Sequence, residues 1–245
     1  VDFETTFKDE TEKYAVTTKS VCYTWMDVNK DGIADLLSFD GQKLSVMLGS
    51  EKGPLTPAGD AMSVDLERGC IALEPCRLGG KPAAVVSSFG EPLVLITDGS
   101  KWEKKPLPAG KGGFDEPVAC IVADFTMDGA VDILLPGSNS GMLWKGKDGF
   151  FQAPEVINVS TGGGTAKVAV NDYNHDGSMD IFLAGSGKNN LWENNGKGVF
   201  KEVFRFSGSM SYKCPTGAAD VKTLDMNQDG RPDLCLGYKD KNILY

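Results

Sequence analysis

Short apolar runs recur along the chain, each opening after a polar loop and closing on a glycine, an aspartate or a polar turn. Leu36-Leu37, Ile133-Leu134-Leu135, Ile181-Phe182-Leu183 and Leu234-Cys235-Leu236 set the pattern. Runs this short, bounded by turn residues and without sustained 3.6-residue periodicity, predict strands. With 30 Gly and 12 Pro among 245 residues, a helical array is excluded, because both residue types interrupt helices.

The polar segment before each run is the same nine-residue loop. Its four copies are Asp27 to Asp35 (DVNKDGIAD), Asp124 to Asp132 (DFTMDGAVD), Asp172 to Asp180 (DYNHDGSMD) and Asp225 to Asp233 (DMNQDGRPD). A hard cation such as Ca²⁺ takes six to eight oxygen ligands, mostly carboxylate, amide and backbone carbonyl. Positions 1, 3, 5 and 9 of the loop carry side-chain oxygens, position 7 contributes a carbonyl, and the Gly at position 6 allows the sharp turn. Four copies with the same Asp and Gly positions favour calcium over solvated turns. The flanking strands exclude an EF-hand, which needs a long helix on either side.

Periods of roughly 40 to 50 residues signal a propeller or another repeat array. The third loop begins 48 residues after the second, at Asp172 against Asp124, and the fourth follows after 53. Between Asp27 and Asp124 lie two periods, so a degenerate copy is expected there. Pro82-Ala83-Ala84-Val85-Val86 supplies it, aligning Cys76 with Asp27. This copy has lost every loop carboxylate and should bind no metal. The segments at the two ends of the chain together make one more repeat, with Phe7-Lys8-Asp9-Glu10 matching Phe200-Lys201-Glu202. The expectation is an all-β, five-bladed β-propeller of four-stranded antiparallel blades, a single domain over residues 1–245. Its N-terminal strand, around Phe7, should complete the last blade beside Ile243.

The loop together with Asn190-Leu191-Trp192-Glu193-Asn194-Asn195-Gly196-Lys197-Gly198-Val199-Phe200 resembles the FG-GAP or VCBS type of propeller repeat found in integrin α-subunit heads and many secreted proteins. The resemblance implies four Ca²⁺ sites, in every blade but the second. Its ligands would be Asp27, Asn29, Asp31 and Asp35; Asp124, Thr126, Asp128 and Asp132; Asp172, Asn174, Asp176 and Asp180; and Asp225, Asn227, Asp229 and Asp233. Carbonyls would come from Ile33, Ala130, Ser178 and Arg231. Thr126 replaces the usual Asn, which predicts a weaker third-blade site. The family includes lectins, adhesion modules and some enzymes, so the resemblance leaves activity open.

Composition sharpens this picture. Net charge is −9, and four Ca²⁺ would bring it near −1, so the acidity reads as cation-binding charge. Nucleic acid, which calls for basic patches, is not expected as a partner. No apolar stretch is long enough to cross a membrane. Calcium sites of this type stay filled at millimolar extracellular calcium, which predicts a secreted, periplasmic or surface location. The six cysteines (22, 70, 76, 120, 214 and 235) allow disulfides or buried thiols.

The only histidine, His175, lies inside a loop, where solvent exposure is its expected fate. That disfavours nucleophile–histidine chemistry and His-ligated zinc. Acids near the expected inner strands (Asp65, Glu67, Glu74, Asp115, Glu116 and Asp220) keep a carboxylate-dependent enzyme in play. Trp144 and Trp192 share a repeat position and should pack between blades. Trp25, Trp102 and Tyr212, the last in an insertion unique to the final blade, are candidates for a ligand surface. The leading expectation is a non-catalytic module that binds a glycan or a protein surface. A carbohydrate-active enzyme and a structural module with calcium as its only ligand are the alternatives.

Overall fold

The computed structural model describes residues 22–66, 70–88, 92–110, 117–163, 166–185, 189–203, 218–239 and 241–244. They form a five-bladed β-propeller. Every blade is an antiparallel meander in which consecutive strands pair. Blade 1 runs through Cys22–Met26, Asp35–Phe39, Lys43–Leu48 and Thr56–Pro57, with Val64–Asp65 also pairing with its third strand. Blade 2 comprises Cys70–Leu78, Lys81–Ser88, Leu93–Thr97 and Trp102–Pro106. Blade 3 comprises Ile121–Ala123, Asp132–Pro136, Gly141–Trp144 and Glu155–Ile157, with a small hairpin of Gly146–Lys147 and Phe150–Phe151. Blade 4 comprises Ala166–Asn171, Asp180–Gly185, Asn189–Asn194 and Phe200–Val203, and blade 5 comprises Asp220–Leu224, Asp233–Gly237 and Asn242–Leu244. Among the described residues the only helical element is a 3₁₀ turn, Asp60–Met62. The expected pairing of the segment around Phe7 with the strand around Ile243 lies outside the described residues.

The apolar runs are the second strands, and their composition follows from where they sit. A strand sends alternate side chains to opposite faces of its sheet. In blade 4, Ile181 and Leu183 enter the core shared with blade 3, while Phe182 and Ala184 enter the core shared with blade 5. Ile133 and Leu135 of blade 3 likewise face blade 2, and Leu134 faces blade 4. Both faces are covered, so Asp132–Pro136 and Asp180–Gly185 are buried throughout. This is why these strands read as continuous apolar runs rather than alternating ones.

Registers bear out the alignment of the four acidic blades. Met26 faces Asp35, Ala123 faces Asp132, Asn171 faces Asp180 and Leu224 faces Asp233. In blade 2 Pro75 faces Ala84, the spacing expected when Cys76 is aligned with Asp27. However, Ala84 and Val86 enter the core shared with blade 1, whereas Leu37, Leu134 and Phe182 enter the core shared with the following blade. With no loop to mark the step, that alignment is one residue out in face. Where the others have an acidic loop, blade 2 turns tightly through Gly79 and Gly80. Trp144 and Trp192 are buried between blades, against blades 2 and 3 respectively.

Candidate functional site

In blades 1, 3, 4 and 5 the nine-residue loop joins the first strand to the second, so the four acidic copies share one rim of the propeller. The position-4 residues Lys30, Met127, His175 and Gln228 all adopt positive φ, between 55° and 65°. The following glycines, Gly32, Gly129, Gly177 and Gly230, have φ from 81° to 90°. Two left-handed residues in three coil the backbone tightly, a conformation that costs little at Gly and more elsewhere.

The coil is held by its own aspartates. Both oxygens of the first Asp accept backbone N–H groups: Asp172 Oδ1 from Asp176 at 3.1 Å and Oδ2 from Gly177 at 2.9 Å. Asp27, Asp124 and Asp225 do the same. The fifth-position Asp accepts from the N–H of position 7 at 2.8 Å in all four loops, from Ile33, Ala130, Ser178 and Arg231. These bonds, led by the Ser178 N–H and followed by the Asn174 amide, hold the Asp176 carboxyl below its ordinary range.

The ninth Asp has a role that spacing alone did not assign. Asp35 accepts from Val28 N at 2.9 Å and from Gly49 N at 2.8 Å. Asp132 accepts from Phe125 and Gly146, and Asp180 from Tyr173 and Asn194. Each thus ties the start of the loop to the end of the third strand, and all three are buried. Burial raises the carboxyls of Asp132 and Asp180, against the pull of their N–H donors. Asp233 makes the corresponding bond to Met226 N at 2.8 Å.

Position 3 separates blade 3 from the rest. Asn29, Asn174 and Asn227 each donate an amide N–H to the fifth-position Asp and accept that residue's backbone N–H. Thr126 instead donates its hydroxyl to Asp132, at 3.2 Å.

The donor set fits a hard cation. Every loop holds three carboxylates, an amide oxygen or hydroxyl, and a carbonyl, and a carboxylate oxygen that accepts one N–H keeps a second lone pair. Among the described residues no three His, Cys, Asp or Glu side chains are gathered at metal-ligating range. Their oxygens are engaged with the loop backbone.

The other candidates are dispersed. Trp25 is 50% exposed on the first strand of blade 1, and Tyr23, two residues away on the same face, is 65% exposed. Trp102 is half-buried against the core of blades 1 and 2, and its Nε1 donates to Met62 O at 3.1 Å. Tyr212, Glu67, Asp115 and Glu116 lie outside the described residues. Asp65 lies just before the inner strand of blade 2, on the outer edge of blade 1, where it pairs with Lys43. His175 is exposed.

Glu74 and Asp220 do lie on first strands, in blades 2 and 5. Burial pushes the Glu74 carboxyl up to about 7, opposed by the charge of Lys222 from blade 5. The Cys120 thiol, fully buried at the start of blade 3, is raised by burial and by Glu74 and Cys76. Cys76, Cys120 and Cys235 are free thiols.

A family model described as an FG-GAP-like repeat matches residues 124–183 and again 172–236. No curated protein matches the chain in sequence. Among solved structures, an Agrocybe aegerita lectin described as recognising non-reducing terminal N-acetylglucosamine superposes with a TM-score of 0.60 at 21% identity, over 89% of this chain. The chain spans 61% of that lectin's length. BBS1N, solved in complex with ARL6DN and soaked with lead, superposes with a TM-score of 0.53 at 16% identity, over 94% of this chain and 80% of that one. At these identities the likeness establishes the fold. Among the described residues no helix is long and apolar enough to cross a membrane.

Proposed function

Because this chain is a β-propeller carrying FG-GAP-like repeats, we propose that it is a secreted, calcium-stabilised binding module that recognises a glycan or a protein surface without catalysis. The observation that carries this reading is the fourfold loop on one rim, with the same hydrogen-bond frame each time. When bound, Ca²⁺ would supply charge neutralisation and cross-linking of the loop, held by Asp27, Asn29, Asp31 and Asp35 and their counterparts. The repulsion of three carboxylates in nine residues would be relieved, and the loop would be rigidified.

The glycan arm of the proposal draws support from the Agrocybe aegerita lectin, described as recognising non-reducing terminal N-acetylglucosamine. The protein arm draws it from BBS1N, solved in complex with ARL6DN. Trp25 and Tyr23 give blade 1 an exposed aromatic pair, a surface suited to stacking on a sugar ring or filling a partner's pocket.

The enzyme alternative keeps one specific observation. Glu74, held protonated to about pH 7 by burial, has the property expected of a general acid. Glycoside cleavage needs a second carboxylate placed opposite it. A glycan array run beside reducing-sugar and lyase assays separates these readings. Binding without turnover is expected, and it should weaken with Trp25→Ala. Turnover that is lost in Glu74→Gln and kept in Trp25→Ala would overturn the binding-module reading.

A further inference from the structure

The junction of blades 3 and 4 contains a cleft of about 450 Å³, within the range of small-ligand sites. Thr126 and Asp128 of the blade 3 loop, Lys145 and Lys147 of the hairpin that follows, Gln152, and Lys197 from blade 4 line it. Three lysines and one aspartate line it, in a protein whose net charge is −9. Lys145 is paired with Glu155 at 3.0 Å, whereas Lys147 and Lys197 are exposed and have no ion-pair partner among the described residues.

The fold does not require lysine at these positions. By strand register, Trp144 corresponds to Met47 and Trp192. The places of Lys145 and Lys147 are then taken by Leu48 and Ser50 in blade 1 and by Glu193 and Asn195 in blade 4. The basic pair has no counterpart in blades 1 and 4. Blade 3 also has Thr126 where the intact loops of the other blades have Asn. The amide that engages the second carboxylate oxygen of Asp31, Asp176 and Asp229 has no counterpart on Asp128. Asp128 therefore keeps that oxygen open.

The walls are fixed before any ligand arrives. Phe125 O accepts from Gly198 N at 3.1 Å and from Asn194 Nδ2 at 2.9 Å, pinning the blade 4 hairpin to the blade 3 loop. Gly198, at φ 73°, sits so close that a Cβ there would lie 2.6 Å from Leu143 Cδ2. Gly146 N donates to Asp132 and Gln152 N to Lys145 O, each at 2.8–2.9 Å, fixing the other side.

We propose that this cleft binds an acidic saccharide. This rests on the binding-module reading above and names its ligand class. Lys147 and Lys197 would hold a carboxylate or sulfate group by charge-assisted hydrogen bonds, while Lys145 stays with Glu155. Gln152 would take a ring hydroxyl as donor or acceptor, beside Thr126 and Asp128, which the proposed function assigns to calcium. A saccharide is favoured over an acidic peptide by the lining: no apolar or aromatic side chain is among the residues named, and protein docking centres on such anchors.

Titration calorimetry in calcium chloride tests this with four probes: a heparin-derived hexasaccharide, a hexagalacturonate, maltohexaose and hexa-aspartate. At least one of the two acidic saccharides should bind, with affinity that falls as salt rises; comparing them tells sulfate from carboxylate. Lys147→Ala/Lys197→Ala should weaken that binding by about tenfold or more, and the paired Arg substitutions should retain it. The proposal is overturned if neither acidic saccharide binds better than maltohexaose, if the alanine pair binds like the parent, or if hexa-aspartate binds as well. Binding of neutral glycans alone would sink the cleft assignment and leave the binding-module reading standing. An array with neither glycan nor protein hits would sink both.

Discussion

Replacing Glu74 by Gln should stabilise the protein at neutral and alkaline pH and do nothing in acid. The Glu74 carboxyl is raised from an ordinary 4.5 to about 7, chiefly by burial. Between those values the folded chain holds a proton that the unfolded chain releases, so stability falls as pH rises through this window. Above about pH 7 the burial cost of the carboxylate is fully present; below about 4.5 it is absent. Each pK unit corresponds to about 1.4 kcal/mol, and with allowance for the water that reaches this partly exposed side chain, the cost is about 2 kcal/mol. Glutamine keeps the shape without the charge. At pH 8 its melting temperature should therefore exceed the parent's by about 4–8 °C, since 1 kcal/mol shifts a domain of this size by about 2–4 °C. Melts followed by circular dichroism from pH 4.5 to 8.5, at one fixed calcium concentration, measure this. Equal melting curves at pH 8, or a difference that does not change with pH, would refute the assignment of a buried, desolvated carboxylate facing Lys222.

Elemental analysis should find four calcium ions per chain, and chelation should lower the melting temperature substantially, because the cation binds the folded loop in preference to the unfolded one; fewer than three tightly held ions, or indifference to chelator, would count against the sites. Asp176→Ala should remove one ion and Cys76→Ala none. Among the loops, that of blade 3 should release its ion first in a chelator titration, because Thr126 is committed to Asp132, and Thr126→Asn should bring it into line with the others. Phe182→Ala should cost about 3–5 kcal/mol by denaturant unfolding, as it empties the centre of the core between blades 4 and 5. Gly198→Ala should cost about 1–3 kcal/mol, from the positive φ and the contact with Leu143.

Much of the fold could be read from the chain because each blade repeats the same local instructions. The acidic loop marks where the first strand ends, and the run after it marks the strand buried on both sides. In blade 2, which has lost its loop altogether, the spacing of the pair Pro75–Ala84 follows from the strand pattern, but its face does not, because no loop aspartate marks the step and Val86 turns toward blade 1. What could not be read is whatever depends on two blades at once. Glu74 is one more acid in the sequence, and its raised carboxyl arises from burial and from Lys222, contributed by blade 5. Lys197 joins Lys145 and Lys147 only because the blade 4 hairpin leans on the blade 3 loop.

The alternating faces of the second strands make sequence neighbours strangers and distant residues kin. Ile181 touches the core toward blade 3, Phe182 the core toward blade 5. Changes at these adjacent positions should add independently, while Phe182 and Val221, in different blades but one core, should show coupling in a double-mutant cycle. In a set of related chains, compensating substitutions would then skip from blade to blade and leave the residue next door untouched. The ring would drift one interface at a time, which leaves a single junction, such as that between blades 3 and 4, open to specialisation while its neighbours keep their packing.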